Sequence, residues 1–313
     1  MTDHTSWRDA NMDPPTPVLS VRGIVLPVPG RGEDLRMRVS APATGDNLPI
    51  LLFSHGYGSS MDGYAPLADY WAAHGFVVIQ PTHLDARRLG LAQDDPRRPL
   101  IWRTRVEDMK RILDQLPTIT QSLPGVEGRV NHALIAAAGH SFGGQTTSML
   151  LGARMLAADG DGEDMSDERV HAGILLASGG RGGCDLSDVG REITPYLNSG
   201  FEHMTTPTLV VAGDADRSPL TTRGPDWFAD PYRLSPGRKA LLTLFGAEHM
   251  LGGISGYDVS ETTDENPKRV FVIQRSTLAY LRRELLRDGR AWSSACESLA
   301  SEPEPFGRIE GGH

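Results

Sequence analysis

Cysteine is scarce: Cys184 and Cys296 are the only two in 313 residues, and their spacing suits no metal site. That excludes a disulfide-built scaffold and a thiolate metal centre. Reduced thiols in a cytoplasmic setting are the expectation, with one long-range disulfide as the alternative. Long apolar runs are lacking too. No stretch approaches the ~18–20 residues a membrane span requires, so no transmembrane segment is expected. The opening Met1-Thr2-Asp3-His4-Thr5-Ser6-Trp7 has neither a charged n-region nor an apolar h-region, and no signal peptide is expected there. Nor is there a surplus of positive charge. Thirty-one basic residues face 40 acidic ones, a net charge of −9, which argues against nucleic acid as a partner. The basic pairs Arg87-Arg88 and Arg97-Arg98 are interleaved with acids and read as solvated loops.

Two further motifs fail on inspection. The acidic stretch Asp159–Asp164 would need glycine and glutamate at the sixth and twelfth positions of a calcium loop, where Asp164 and Val170 stand. The glycine-rich Ser178–Cys184 has no Lys-Ser/Thr after it, so it is not a phosphate cradle. No metal and no cofactor is expected.

What is present is an alternation of short apolar strands with helical spacing. Strands are expected at Val18–Val28, Leu35–Ala41, Pro49–Ser54, Phe76–Ile79, Ala133–Ala138, Ala172–Ala177, Thr208–Ala212 and Ala240–Phe245. Helices are expected over about 64–74, 101–116, 144–158 and 267–286. Such alternation argues for an α/β fold: a mostly parallel central sheet with helices on both faces. The first two strands have no helix between them and predict an antiparallel N-terminal edge. No repeat or linker divides the chain. The expected organisation is a loose arm over 1–17, one domain over 18–287 with a flap at 178–206, and a tail over 288–313.

The most informative motif is Gly139-His140-Ser141-Phe142-Gly143, standing between a small-residue strand and a helical segment. A strand entering Gly-x-Ser-x-Gly and leaving as a helix is a nucleophile elbow, with the serine hydroxyl raised at the carboxyl edge of the sheet. Acyl transfer also needs a base and an acid to orient it, in the chain order Ser, acid, His. Phe245-Gly246-Ala247-Glu248-His249 supplies the base after the last core strand. The acid should follow the preceding strand, where Asp214 and Asp216 compete; Asp216, three residues past Gly213, is the better placed. The other is expected to cap a neighbouring turn or helix. Two backbone amides should hold the oxyanion: that of Phe142, directly after the nucleophile, and that of Tyr57 in Ser54-His55-Gly56-Tyr57-Gly58. His83 and Trp102 are candidates for the pocket wall, with Trp227 behind them. His55 and His140 are read as local packing or bonding residues.

The chain resembles an α/β-hydrolase. Within that superfamily it is similar to a bacterial esterase branch grouped with chlorophyllases, platelet-activating-factor acetylhydrolase-like esterases and serine-type dienelactone hydrolase relatives. The likeness is carried by Ser54–Gly58, Ala73-His74-Gly75-Phe76-Val77-Val78, Gly139–Gly144, Gly213–Asp216 and Glu248-His249, together spanning roughly 18 to 287. It implies a cofactor-free carboxylic ester hydrolase with an acyl-serine intermediate. Dienelactone hydrolases proper use cysteine where this chain has Ser141, so a dienelactone substrate is not implied. The leading expectation is a serine esterase of small to medium esters or lactones, whose partner is the small-molecule ester itself. A lipid or phospholipid acyl hydrolase is the alternative, with the flap's Ile193, Tyr196, Leu197 and Phe201 as an apolar rim. A hydrolase-fold binding protein without chemistry is the third reading.

Overall fold

The computed structural model describes residues 14–157, 160–258 and 262–312. Most of the expected arm (1–13), and also Ala158 and Asp159, lie outside the described residues.

In chain order the elements are β1 (Val18–Leu26), β2 (Leu35–Pro42), β3 (Leu48–Ser54), α1 (Ala65–Ala73), β4 (Val77–Pro81), α2 (Ile101–Asp114) and α3 (Leu116–Gln121). There follow β5 (Val130–His140), α4 (Phe142–Leu150), β6 (Arg154–Met155), β7 (Ala172–Leu176), α5 (Asp188–Ile193) and β8 (Ser199–Gly200). The chain closes with β9 (Thr208–Gly213), α6 (Asp230–Arg233), β10 (Lys239–Leu244), α7 (Pro267–Leu286), α8 (Gly289–Ser301) and β11 (Gly307–Gly311).

Nine strands form one sheet in the order β1-β2-β4-β3-β5-β7-β9-β10-β11. The six from β4 to β10 pair in parallel, whereas β1–β2, β2–β4 and β10–β11 are antiparallel. Strands β3, β4, β7 and β9 are buried at every residue, which is why they read as continuous apolar runs rather than alternating ones. Helices α1 and α7 pack together over one face; α2 and α4 cover the other, with α4 seated on β3, β5 and β7. This mostly parallel sheet with helices on both faces has the α/β-hydrolase architecture.

Small residues set the most critical packing. Ala136, Ala137 and Ala138 in β5 carry no bulk, so α4 can settle close to the strand that precedes it. Gly139 faces the Gly143 carbonyl and Gly143 faces the Ser54 carbonyl, each so closely that a Cβ would collide with backbone. Both elbow glycines are therefore required by contact, not by flexibility.

Two expectations need correction. The helix expected over 144–158 stops at Leu150, because Gly152 takes φ +109° and lies against the His203 carbonyl. The next residues turn into β6, which pairs with β8. The expected tail is also structured: Asp288 caps α8 by accepting the Ala291 N–H, and β11 extends the sheet along β10. By contrast α7 has the expected bounds. Asn266 accepts the amides of Lys268 and Arg269, and Pro267 opens the first turn, where its missing N–H is no loss.

Candidate active site

Ser141 sits between β5 and α4 with φ 54° and ψ −119°, a strained conformation for a non-glycine residue. The strain is held from both sides: the Ser141 N–H donates to the Leu176 carbonyl at 2.9 Å, and its carbonyl accepts from Gln145 at 3.1 Å. The turn presents the hydroxyl at the carboxyl edge of the sheet. There Ser141 Oγ lies 2.9 Å from His249 Nε2, and His249 Nδ1 lies 3.0 Å from Asp216 Oδ2. Asp216 is fully buried, while the His249 side chain is 37% exposed. A carboxylate accepts only, so Nδ1 carries the proton and Nε2 is free to accept from the serine.

Of the two competing acids, the structure brings Asp216 to His249. Asp214 is exposed and accepts the Gly246 N–H at 2.6 Å, capping the turn that leads to His249. The His249 loop is otherwise fixed through its backbone. Asp264 accepts the amides of Glu248 and Gly252 at 2.8 and 3.0 Å, and Arg269 donates to the Phe245 carbonyl at 3.0 Å. The imidazole packs between His140 and Phe228, whose rings lie 5.0 and 5.7 Å away.

His140 is bound into this arrangement more tightly than its place in the motif suggests. Its Nε2 donates to the His249 carbonyl at 2.8 Å, so its Nδ1 accepts from the Tyr64 hydroxyl at 2.8 Å. The Tyr64 oxygen in turn accepts the Gly56 N–H at 3.0 Å. Burial, with His249 beside it, holds the His140 pKa down to about 3, so the ring is neutral and one tautomer satisfies every bond.

The loop after β3 stands opposite. The Gly56 amide is engaged by Tyr64, and the Gly58 amide donates to Asp85 Oδ2 at 3.2 Å. Tyr57 between them is 57% exposed and lines the cleft beside Ser141. Phe142 is the first residue of α4, so its amide belongs to the set a helix start leaves without an intrahelical partner.

Beneath that loop lies a buried polar cluster that the sequence reading did not anticipate. Arg105 of α2 is fully buried and meets both oxygens of Asp85 at 2.7 Å. His55 donates from Nδ1 to the Gly56 carbonyl and accepts the His83 N–H at Nε2; burial and Arg105 pull its pKa down to about 4. His83 accepts at Nε2 from Ser54 Oγ and donates from Nδ1 to Asp108, both at 3.0 Å. Asp108 also receives Arg31 at 2.7 and 2.8 Å.

A cavity of about 590 Å³ opens over Ser141, lined by residues 56–60, Asp62, Tyr64, Arg87, Arg88, His140, His249 and Met250. Three pocket candidates are misplaced. His83 is sealed beneath the loop by Asp108 and Ser54. Trp102 stacks on Tyr196 outside the cavity wall, with rings 6.4 Å apart. Trp227 is buried against Gly179 and Gly180, its indole N–H donating to the Arg181 carbonyl. Nothing from the expected flap lines the cavity among the described residues, and Leu197 and Phe201 are core side chains; Ile193 alone of the proposed rim is strongly exposed. Cys184 and Cys296 are unpaired. No group of metal-ligating side chains occurs among the described residues, and no described helix is long and apolar enough to cross a membrane.

Comparison with known proteins points the same way. The family model "Chlorophyllase" matches residues 32–156, which include the β3 loop and the elbow but end before Asp216 and His249. A platelet-activating factor acetylhydrolase from Cavia porcellus is 26% identical over 167 residues, 42% of this chain and 35% of its own length. Cutinase est2 from Thermobifida alba is 26% identical over 215 residues, 68% of this chain and 57% of its own. Chlorophyllase-1 from Citrus unshiu is 30% identical over 113 residues, 36% of this chain and 31% of its own. The matched part of the chain thus spans between about a third and somewhat over half of these relatives. All three are relatives of one kind, the α/β-hydrolases, and this chain shares their fold.

Proposed function

We propose that this α/β-hydrolase-fold chain is a serine carboxylic ester hydrolase acting on small to medium esters or lactones. The observation that carries the reading is the unbroken bonded series Ser141–His249–Asp216 on a strained elbow. In this reading Ser141, Asp216 and His249 form the catalytic triad. His249 takes the Ser141 proton as Oγ attacks the ester carbonyl, and Asp216 stabilises the imidazolium. The amides of Tyr57 and Phe142 hold the oxyanion of the tetrahedral intermediate. His249 then protonates the departing alkoxide as the carbon–oxygen bond breaks, leaving an acyl-serine. Water, deprotonated by His249, attacks that acyl group and releases the carboxylic acid. The chemistry calls for no cofactor.

A cavity of about 590 Å³ suits a ligand of modest size. A lipid or phospholipid acyl hydrolase, similar to the platelet-activating factor acetylhydrolase of Cavia porcellus, is the second reading. It is favoured by the exposed Tyr57 ring at the cavity wall, an apolar surface whose hydroxyl accepts from Arg98. Unpaired thiols fit a reducing, cytoplasmic setting.

Hydrolysis of p-nitrophenyl acetate, butyrate, octanoate and palmitate by the wild type and Ser141→Ala tests the proposal. Activity should fall by about 10⁴-fold or more in Ser141→Ala, with the shorter acyl chains preferred in the wild type. Preference for palmitate would favour the lipid reading. A folded wild type that hydrolyses no ester and is not labelled by a fluorophosphonate would refute both.

A further inference from the structure

Arg105 takes no part in the steps above, yet it is fully buried beside the site. All three of its nitrogens find partners. Nη1 faces both Asp85 oxygens at 2.7 Å, Nη2 reaches Ser54 Oγ at 3.2 Å and the His55 carbonyl, and Nε donates to Thr146 Oγ1 at 3.1 Å. We propose that Arg105 and Asp85 are positioning residues that set both oxyanion donors at once. This rests on reading the Tyr57 and Phe142 amides as those donors.

Each donor is reached by two routes. Tyr57 is bracketed: the carbonyl of His55 is held by Arg105, and the amide of Gly58 by Asp85, at 3.2 Å. Phe142 lies with its ring 4.6 Å from the guanidinium carbon, and its carbonyl accepts at 3.0 Å from the Thr146 hydroxyl that Arg105 also engages. The two donors come from the β3 loop and from α4, joined here by one ion pair anchored on α2 and the loop after β4. Fixing their separation matters because an oxyanion hole works by being formed before charge develops. A lysine could not do this: it has three donors on a flexible stem and no plane to lay against a ring. Asp85 stays ionised in the cluster. Burial alone would raise its pKa, but Arg105 and the Gly58 amide outweigh that and hold it below the ordinary value.

The test separates positioning from mere support of the core. Arg105→Lys and Asp85→Asn are assayed on p-nitrophenyl butyrate for kcat and KM separately, and titrated with phenylboronic acid, which forms a tetrahedral adduct on the serine. The proposal expects kcat to fall on the order of 10²-fold while KM changes by less than about threefold. Boronate affinity should fall by a similar factor, because the adduct uses the same donors. A loss confined to KM, or wild-type kcat and boronate affinity in a folded variant, would overturn it. Should the single variants not fold, Arg105→Met/Asp85→Leu leaves no buried charge unpaired and is read in the same way. Wild-type turnover that vanishes in Ser141→Ala keeps the ester-hydrolase reading standing whichever way these variants behave.

Discussion

From Ser54 to Gly58 the chain is held from beneath by buried charged side chains, whereas from Phe245 to Gly253 the charged side chains that hold it are exposed or part-buried. On the first side Arg105 and Asp85 are buried together, with His55 and His83 neutral between them and the Asp108–Arg31 pair below. On the second, Asp214 and Asp264 accept loop amides, Arg269 donates to a loop carbonyl, and the His249 ring remains part-exposed. The difference follows from what each side is read to do. Oxyanion donors must not move, and a satisfied buried network gives them little freedom. A base that exchanges protons with alcohol and water needs an open edge, so only its tautomer and orientation are fixed. The Gly56–Tyr64–His140–His249 series is a bonded bridge between the two sides.

The comparison breaks most visibly at the acids. Asp216→Asn should cut kcat by about 10⁴-fold, since an amide at that place favours the wrong tautomer of His249. Asp214→Asn, which only caps a turn, should cost less than about fivefold, as fits the loss of a single exposed hydrogen bond. The reverse ranking in folded proteins would show that the acid has been misassigned.

A smaller effect tests the bridge. Tyr64→Phe removes one hydroxyl, leaving the Gly56 amide and His140 Nδ1 without it. About 1 kcal/mol of lost positioning corresponds to a roughly fivefold drop in kcat. Unchanged kcat would mean the two sides are set independently.

A separate effect falls on stability rather than turnover, and it appears on both sides together. His55 and His140 are pulled from 6.5 to about 4 and about 3 by burial, so the unfolded chain binds their protons more readily than the folded one. Their contribution is complete above about pH 6.5 and is lost progressively as pH falls toward those folded values. At pH 5 each should cost on the order of 2 kcal/mol relative to pH 7.5. Urea unfolding at the two pH values measures the sum, and an equal or greater stability at pH 5 would contradict it.

Sequence carried the parts of the site that depend on strand ends. Ser141 follows β5 directly and His249 stands in the loop just after β10, and turn residues announce both. It could favour Asp216 over Asp214 only by loop position; what separates them is which one the turn after Gly213 buries. His83 looked like a cleft residue because it follows a strand, and only contacts with Ser54 and Asp108, 29 and 25 residues away, put it underneath. Arg105 did leave a signal. It lies four residues after Ile101 and four before Met109, within the stripe α2 buries, so a charge there must find partners in the core. The end of the chain was harder. Gly307–Gly311 has one apolar residue, Ile309, and is a strand because the open edge of β10 offers it a ladder.

The most direct test of the central claim is to trap the covalent intermediate. Wild-type enzyme mixed with p-nitrophenyl acetate, quenched in acid during the burst and digested, should yield one acetylated peptide, with the acetyl group on Ser141. Its yield should fall sharply in Asp216→Asn at the same quench time. Turnover with no acyl-enzyme at any quench time, or an acetyl group on another residue that survives Ser141→Ala along with the activity, would contradict the account.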